Sequence, residues 1–115
     1  MSRYTIIKKL EIAGSHCLSH LPYESKCKNT HGHNWKVEVT CQCNESELNS
    51  ETGMVIDFTE IKKAVMKMDH MHLNDFLDKP TAELIAKYIC TQIPFCIKVS
   101  VEESTGNTAI YEHQR

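Results

Sequence analysis

The sequence predicts an α+β fold in the order β-β-α-α-β-β, an antiparallel sheet with two helices on one face. Three observations carry that prediction. Residues 31 to 43 alternate, with Trp35, Val37, Val39 and Cys41 on one side and Asn34, Lys36, Glu38, Thr40 and Gln42 on the other. Two apolar stripes at helical spacing follow, Phe58-Ile61-Ala64-Val65-Met68 and Ala82-Ile85-Ala86-Ile89-Ile93. A second alternating run starts at Phe95 and is turned back by Ser104-Thr105-Gly106-Asn107.

Residues 4 to 13 read as the first strand. Tyr4, Ile6, Leu10 and Ile12 share a parity that only Lys8 breaks. Gly14-Ser15 allow a bend. If the path stays extended, His16 falls on the face of Leu10 and Ile12. Residues 17 to 30 form a loop, near the length at which structureless loops are functional or mobile. Cys27 lies near its end between Lys26 and Lys28, whose charge stabilises a thiolate. An ordinary surface cysteine between solvated lysines is the plainer reading.

The second strand opens with His31 and His33 on its apolar face. Two imidazoles on one face reach a single metal ion, and neutral imidazole suits zinc. Hydrogen-bonded histidines at a strand end are the alternative. His16 is the third candidate ligand by parity, with His20 as its competitor. Cys41 and Cys43 share a face far from the histidines and read as packing residues, as do Cys90 and Cys96. Residues 44 to 53 are a polar loop. Asp57 with Glu60 has capping-box spacing and opens the first helix. Asp69-His70 follows that helix. A carboxylate beside an imidazole can orient the ring, although a solvated aspartate and a surface histidine are commoner.

Thr81 is the N-cap expected for the second helix and Pro94 its stop, with Leu84 and Tyr88 widening the buried stripe. The inward row Phe95, Ile97, Val99, Val101 ends in Glu103. A carboxylate on an apolar face is costly unless paired or bound. Residues 108 to 112 return as the fourth strand, and the tail His113-Gln114-Arg115 is expected to fray. Four strands leave two open edges, which a barrel closed between identical subunits would cover.

Composition bounds the function. The 115 residues fit one domain spanning 1–115, and 41% apolar content supports a small core. Thirteen basic and fifteen acidic side chains are well mixed, giving a net charge of −2 and no basic patch for direct nucleic-acid binding. No apolar run is long enough for a membrane span. Residues 1 to 9 lack a signal-peptide core, so a cytoplasmic location with reduced cysteines is expected.

Six separated pieces then agree. They are Ala13-Gly14-Ser15-His16; Cys27 with three residues before His31-Gly32-His33-Asn34-Trp35; Val55-Ile56-Asp57-Phe58 with Ile61-Lys62; Met68-Asp69-His70 with Leu73-Asn74; Pro80-Thr81-Ala82-Glu83; and Glu103 eight residues before Tyr111. In this order they resemble the 6-pyruvoyl-tetrahydropterin synthase superfamily, and more closely its 6-carboxy-tetrahydropterin synthase branch. Met68 departs mildly, since the family commonly has leucine there. The three-residue gap after Cys27 looks like the carboxy-forming branch; the pyruvoyl-forming enzymes of animals are similar but usually have a longer one.

The resemblance implies a tunnelling (T-) fold and a zinc ion (Zn2+) held by His16, His31 and His33. It also implies Cys27 as the catalytic cysteine, Asp69 and His70 as an acid/base pair, and Glu103 as the carboxylate that anchors a pterin. It implies trimers forming a twelve-stranded barrel and stacked into a homohexamer. The active sites then lie between subunits, which allows Cys27 and the Asp69-His70 pair to come from different chains. The implied substrate is 7,8-dihydroneopterin triphosphate. The implied products are 6-carboxy-5,6,7,8-tetrahydropterin, acetaldehyde and triphosphate, on the way to 7-deazaguanine and queuosine. Rival readings are triphosphate elimination to a pyruvoyl product, a structural zinc module closed by His20 or Cys27, and an inactive pterin binder. Lys8, Lys9, Lys26 and Lys28 are all open as triphosphate contacts, and Glu102 as a helper of Glu103.

Overall fold

In the computed structural model, which describes residues 1–114, β1 (Arg3–His16) and β2 (His31–Asn44) pair antiparallel along their whole length. The bend foreseen at Gly14-Ser15 does not interrupt β1. After these come α1 (Phe58–Met66), β3 (Met71–His72), α2 (Ala82–Thr91), β4 (Cys96–Ser104) and β5 (Asn107–Glu112). The sheet order is β3-β1-β2-β4-β5. The four long strands and both helices are those predicted. β3 is an addition: two residues that pair parallel with Gly14 and Ser15. A two-residue strand has no period to read, and only its partner defines it.

The alternation of β2 does what it predicts. Trp35, Val37, Val39, Cys41 and Cys43 are buried, together with Ile12, Val99 and Val101 from the neighbouring strands. Ile61 and Val65 of α1 and Ile85, Ala86 and Ile89 of α2 complete one cluster with them. Each fully buried valine or isoleucine in it contributes about 1.5–3 kcal/mol, so this face holds the fold together. All six cysteines are free. Cys90 is pushed up to about 12, first by burial, which suits an inert core thiol.

Local details differ from expectation. Phe58 is half exposed, and Met68 is buried from the turn beyond α1, not from the helix. Asp57 caps α1 by accepting the Thr59 N–H (2.8 Å), while Glu60 pairs with Lys63 (3.4 Å) and does not complete a capping box. Leu84 is exposed, and only Tyr88, ring to ring with Phe76, widens the α2 stripe. The Thr81 hydroxyl accepts the Leu84 N–H (3.2 Å) at the start of α2. Thr81→Ala is expected to cost about 1 kcal/mol of stability. An unchanged denaturation midpoint would mean that the cap is idle.

Two bulges in β4 matter for the site. Cys96 faces Cys41 and Lys98 faces Thr40, so Ile97 is an extra residue. The side-chain row therefore flips there. Cys96 is buried, Ile97 is half-buried, and the predicted inward row holds only from Val99 onward. Further along, Glu102 faces Thr108 and Ser104 faces Asn107, so Glu103 is extra in its turn. Gly106 takes the positive φ (87°) that the short turn into β5 requires. Beyond β5 the His113 N–H still bonds the Ile97 carbonyl (2.7 Å), so fraying does not begin there; Arg115 lies outside the described residues. Among those residues no helix is long and apolar enough to cross a membrane.

Candidate metal centre and catalytic groups

Strand register gathers the three histidines. His16, the last residue of β1, sits directly across from His31, the first of β2. His33 lies two residues on, on the same face, opposite Gly14. Ring centroids are 4.5 Å apart for His16–His31, 4.9 Å for His31–His33 and 5.2 Å for His16–His33. Trp35 continues the row. Its ring stands edge-on to His16 (4.9 Å) and His33 (5.2 Å), and its Nε1–H donates to the Gly14 carbonyl (3.0 Å). That position is tight: a Cβ on Gly14 would lie 3.3 Å from the Leu73 side chain, which would have to give way by a few tenths of an ångström.

The ring nitrogens are sorted by their hydrogen bonds. His16 Nδ1 bonds the Pro80 carbonyl and His31 Nδ1 the Asn29 carbonyl, both at 2.7 Å. A carbonyl only accepts, so each Nδ1 carries the proton and each Nε2 keeps its lone pair. Burial lowers the His16 pKa below 6.5 despite the opposing pull of the Pro80 carbonyl, and its ring is neutral at pH 7. The Nε2 atoms of His16 and His33 are buried without a hydrogen-bond partner. Both lie close to Glu103 Oε1, at 3.2 and 3.0 Å, but without hydrogen-bond geometry. The ligand atoms of His16, His31, His33 and Glu103 all fall within 4.8 Å of one another. Two orphaned imidazole nitrogens beside one carboxylate, with the His31 ring in reach, are a donor set that fits a zinc ion. His20 is exposed and outside this group.

Cys27 is held beside the cluster by its backbone. It sits in a short 3-10 turn, its N–H donating to the Ser25 hydroxyl (3.1 Å) and its carbonyl accepting the Leu18 N–H (2.7 Å). The loop is thus tethered just after His16. Asn74 tightens the same junction: its side chain accepts the Cys17 N–H (2.9 Å) and donates to the Cys17 carbonyl (3.0 Å). Nothing in the spacing of Asn74 announced this clamp. A cavity of about 680 Å³ is lined by Lys26, Cys27, His31, His33, Glu103 and Ser104, a size that accepts a small heterocycle. Lys28 is paired with Glu24 (3.5 Å), which leaves Lys26 as the cation facing this space.

Asp69 and His70 touch, although a solvated aspartate and a surface histidine are the commoner outcome for such neighbours. Asp69 Oδ2 lies 2.9 Å from His70 Nδ1, and Asp69 Oδ1 accepts the Ala13 N–H at 2.9 Å. His70 adopts a left-handed φ of 59° while its own N–H bonds the Ala13 carbonyl (2.6 Å). A non-glycine residue there is strained, and these bonds hold the strain. The pair does not face Cys27. His70 lines a different groove, with Ser15, His33, Asn34 and His72. In that groove the Ser15 hydroxyl and His72 Nδ1 are 2.9 Å apart, a contact made by the unforeseen β3.

The Ala13 amide first, and the His70 ring second, hold the Asp69 carboxyl below its ordinary value of 3.8. A lowered carboxyl favours the fold above the unfolded value, and the contribution is lost as pH falls through the folded one. The Asp69 carboxyl carbon is therefore expected to titrate below pH 3.8 by NMR, with the His70 anchor intact at pH 5. A midpoint at or above 3.8 would show that the bridge to Ala13 is absent in solution.

Comparisons with known proteins converge on one family. The family model described as 6-pyruvoyl tetrahydropterin synthase matches residues 5–114. A 6-carboxy-5,6,7,8-tetrahydropterin synthase from Synechocystis is 32% identical over 94% of this chain and 92% of its own length. A putative enzyme of that name from Pyrococcus horikoshii is 49% identical over 59% of this chain, but the match spans only 43% of that protein. The human 6-pyruvoyl tetrahydrobiopterin synthase is 34% identical over 75% of this chain and 70% of its own. The solved 6-pyruvoyl tetrahydropterin synthase of Caenorhabditis elegans superposes with a TM-score of 0.75 at 24% identity, covering 99% of this chain and 98% of the other, a likeness of fold.

Proposed function

The chain belongs to the 6-pyruvoyl tetrahydropterin synthase family, and from that premise we propose that it converts 7,8-dihydroneopterin triphosphate to 6-carboxy-5,6,7,8-tetrahydropterin, releasing acetaldehyde and triphosphate. The observation that carries this reading is the convergence of Cys27, His31, His33 and Glu103 on one cavity, with His16 behind them. Relatives named for the carboxy product and the three-residue gap between Cys27 and His31 support that branch.

His16, His31 and His33 would hold the zinc ion, which would supply Lewis acidity to the oxygens of the substrate side chain. Cys27, as thiolate, takes a proton from the side-chain carbon, and His70, oriented by Asp69, relays protons. Glu103 accepts two hydrogen bonds from the pterin amino group and ring N–H, which selects the heterocycle and fixes its orientation. Glu102 lines a different groove, with Lys9 and Lys36, which supports Glu103 as the anchor.

The proposed assembly is a homohexamer, two stacked trimers whose sheets close into a barrel. The exposed edges at β3 and β5 support it, because unpaired edges need covering. So does the separation of His70 from Cys27, which a neighbouring subunit would bridge. The proposed place of action is the cytoplasm, on a small-molecule substrate, in queuosine synthesis, with no direct nucleic-acid contact.

Mass spectrometry of the products tests the reading, with and without prior metal removal. Zinc-dependent 6-carboxy-tetrahydropterin with acetaldehyde is the expected result. The similarity to the human enzyme favours the pyruvoyl product as the second reading, which a three-carbon side chain retained on the pterin would establish. No turnover with zinc bound would overturn both.

A further inference from the structure

Glu103 is asked to do two things in one place. As pterin anchor it needs both carboxylate oxygens side by side, facing the heterocycle. In the structure one of them, Oε1, instead points at the ring nitrogens of His16 and His33, at 3.2 and 3.0 Å. Those separations have a specific size. Ligand atoms about 2.0–2.1 Å from one tetrahedral zinc ion lie about 3.3 Å from each other, the edge of the tetrahedron. A hydrogen bond would explain the distances equally well, but neither ring nitrogen has hydrogen-bond geometry towards the oxygen. The carboxylate therefore stands at a ligand position, not at a donor.

The backbone explains how it gets there. Glu103 is the extra residue of a bulge between the Glu102–Thr108 and Ser104–Asn107 pairs, so the ladder does not fix its side-chain direction. Bulges beside active sites re-aim a side chain in this way. The side chain keeps 27% of its surface exposed on the cavity that Cys27 and Lys26 line, which leaves it room to turn. Asn107 donates to the Ser104 hydroxyl (2.9 Å), a bond across the hairpin that does not involve the Glu103 side chain.

We infer that Glu103 is the fourth ligand of the resting metal centre and leaves it to hold the pterin, so that binding of the heterocycle itself opens the coordination position. This rests on the function proposed above and adds to it a coupling between recognition and activation. A resting site with three histidines and a carboxylate is closed; the arriving pterin removes the carboxylate and exposes the metal to the side chain that must react.

Cobalt(II) replacing zinc in the full-length protein gives the readout, because its visible absorption reports the ligand set without turnover. The probe is unsubstituted pterin, which carries the amino group and ring N–H but no side-chain hydroxyl. In the wild type, saturating pterin is expected to shift the cobalt spectrum. Glu103→Gln should begin with a different spectrum, show no response to pterin, and bind zinc about tenfold or more weakly in chelator competition. Matching spectra and equal zinc affinity for wild type and E103Q would overturn the inference. Should E103Q fail to fold, the wild-type titration decides alone: pterin bound, by its fluorescence, with an unmoved cobalt spectrum rejects the exchange. Metal uptake and product formation alongside that silent spectrum would sink only the exchange. A wild-type protein that takes up neither metal would sink the exchange and the proposed function together.

Discussion

Replacing Cys27 with alanine is expected to lower turnover about 10²- to 10⁴-fold, the range that a positioned proton-transfer group supplies, while the metal content stays unchanged. The geometry separates the two outcomes. The atoms that converge as a ligand set belong to His16, His31, His33 and Glu103, and Cys27 is not among them. Its thiol instead lines the adjacent cavity, held there by bonds of the Cys27 main chain that alanine keeps, the N–H donating to the Ser25 hydroxyl and the carbonyl accepting the Leu18 N–H. The variant should therefore fold, retain zinc and bind pterin. Elemental analysis beside steady-state kinetics checks this. Loss of zinc together with turnover would make Cys27 a structural ligand, and a nearly unchanged rate would assign the proton transfer to another group.

What the sequence told and what it withheld follow from the range of each interaction. The histidine pair was readable because a strand has a period of two, and Trp35, Val37 and Val39 fix which face is buried. His16 was readable by the same parity, carried across Gly14. The pairing that sets His16 opposite His31 is a property of two strands and appears only in the fold. Glu103 was noticed as a carboxylate ending an apolar row, but its approach to the histidines depends on a bulge, and a bulge is a mismatch between strands that neither strand shows alone. The inward row misread at Phe95 and Ile97 failed for the same reason. The Pro80 and Asn29 carbonyls that orient the rings are main-chain groups, which every residue carries, so no residue type could flag them. The Asn74 clamp and the β3 strand are long-range contacts of the same kind.

The separation of His70 from Cys27 leads to the second large effect. Cys27→Ala and His70→Ala proteins, each made alone, are expected to be nearly inactive. Unfolded together and refolded as a mixture, they should regain activity. Each proposed site would draw its cysteine from one chain and its histidine from a neighbour, and in a random equal mixture about one site in four has both intact. Recovery to about a quarter of the wild-type rate is the expected result. The two cavities keep these groups apart within one chain. Cys27 faces one with Glu103 and Ser104, His70 faces another with Ser15 and His72, and of the zinc-ligand candidates only His33 lines both. The bonds from Asp69 and His70 to Ala13 hold the pair against β1, at the edge where β3 leaves the sheet open. A His70 swung from that edge into the Cys27 cavity of its own chain would have to give up those bonds and its φ of 59°. If the mixture stays inactive while each variant folds and assembles, both groups act within one chain, and that swing must then occur in the working enzyme.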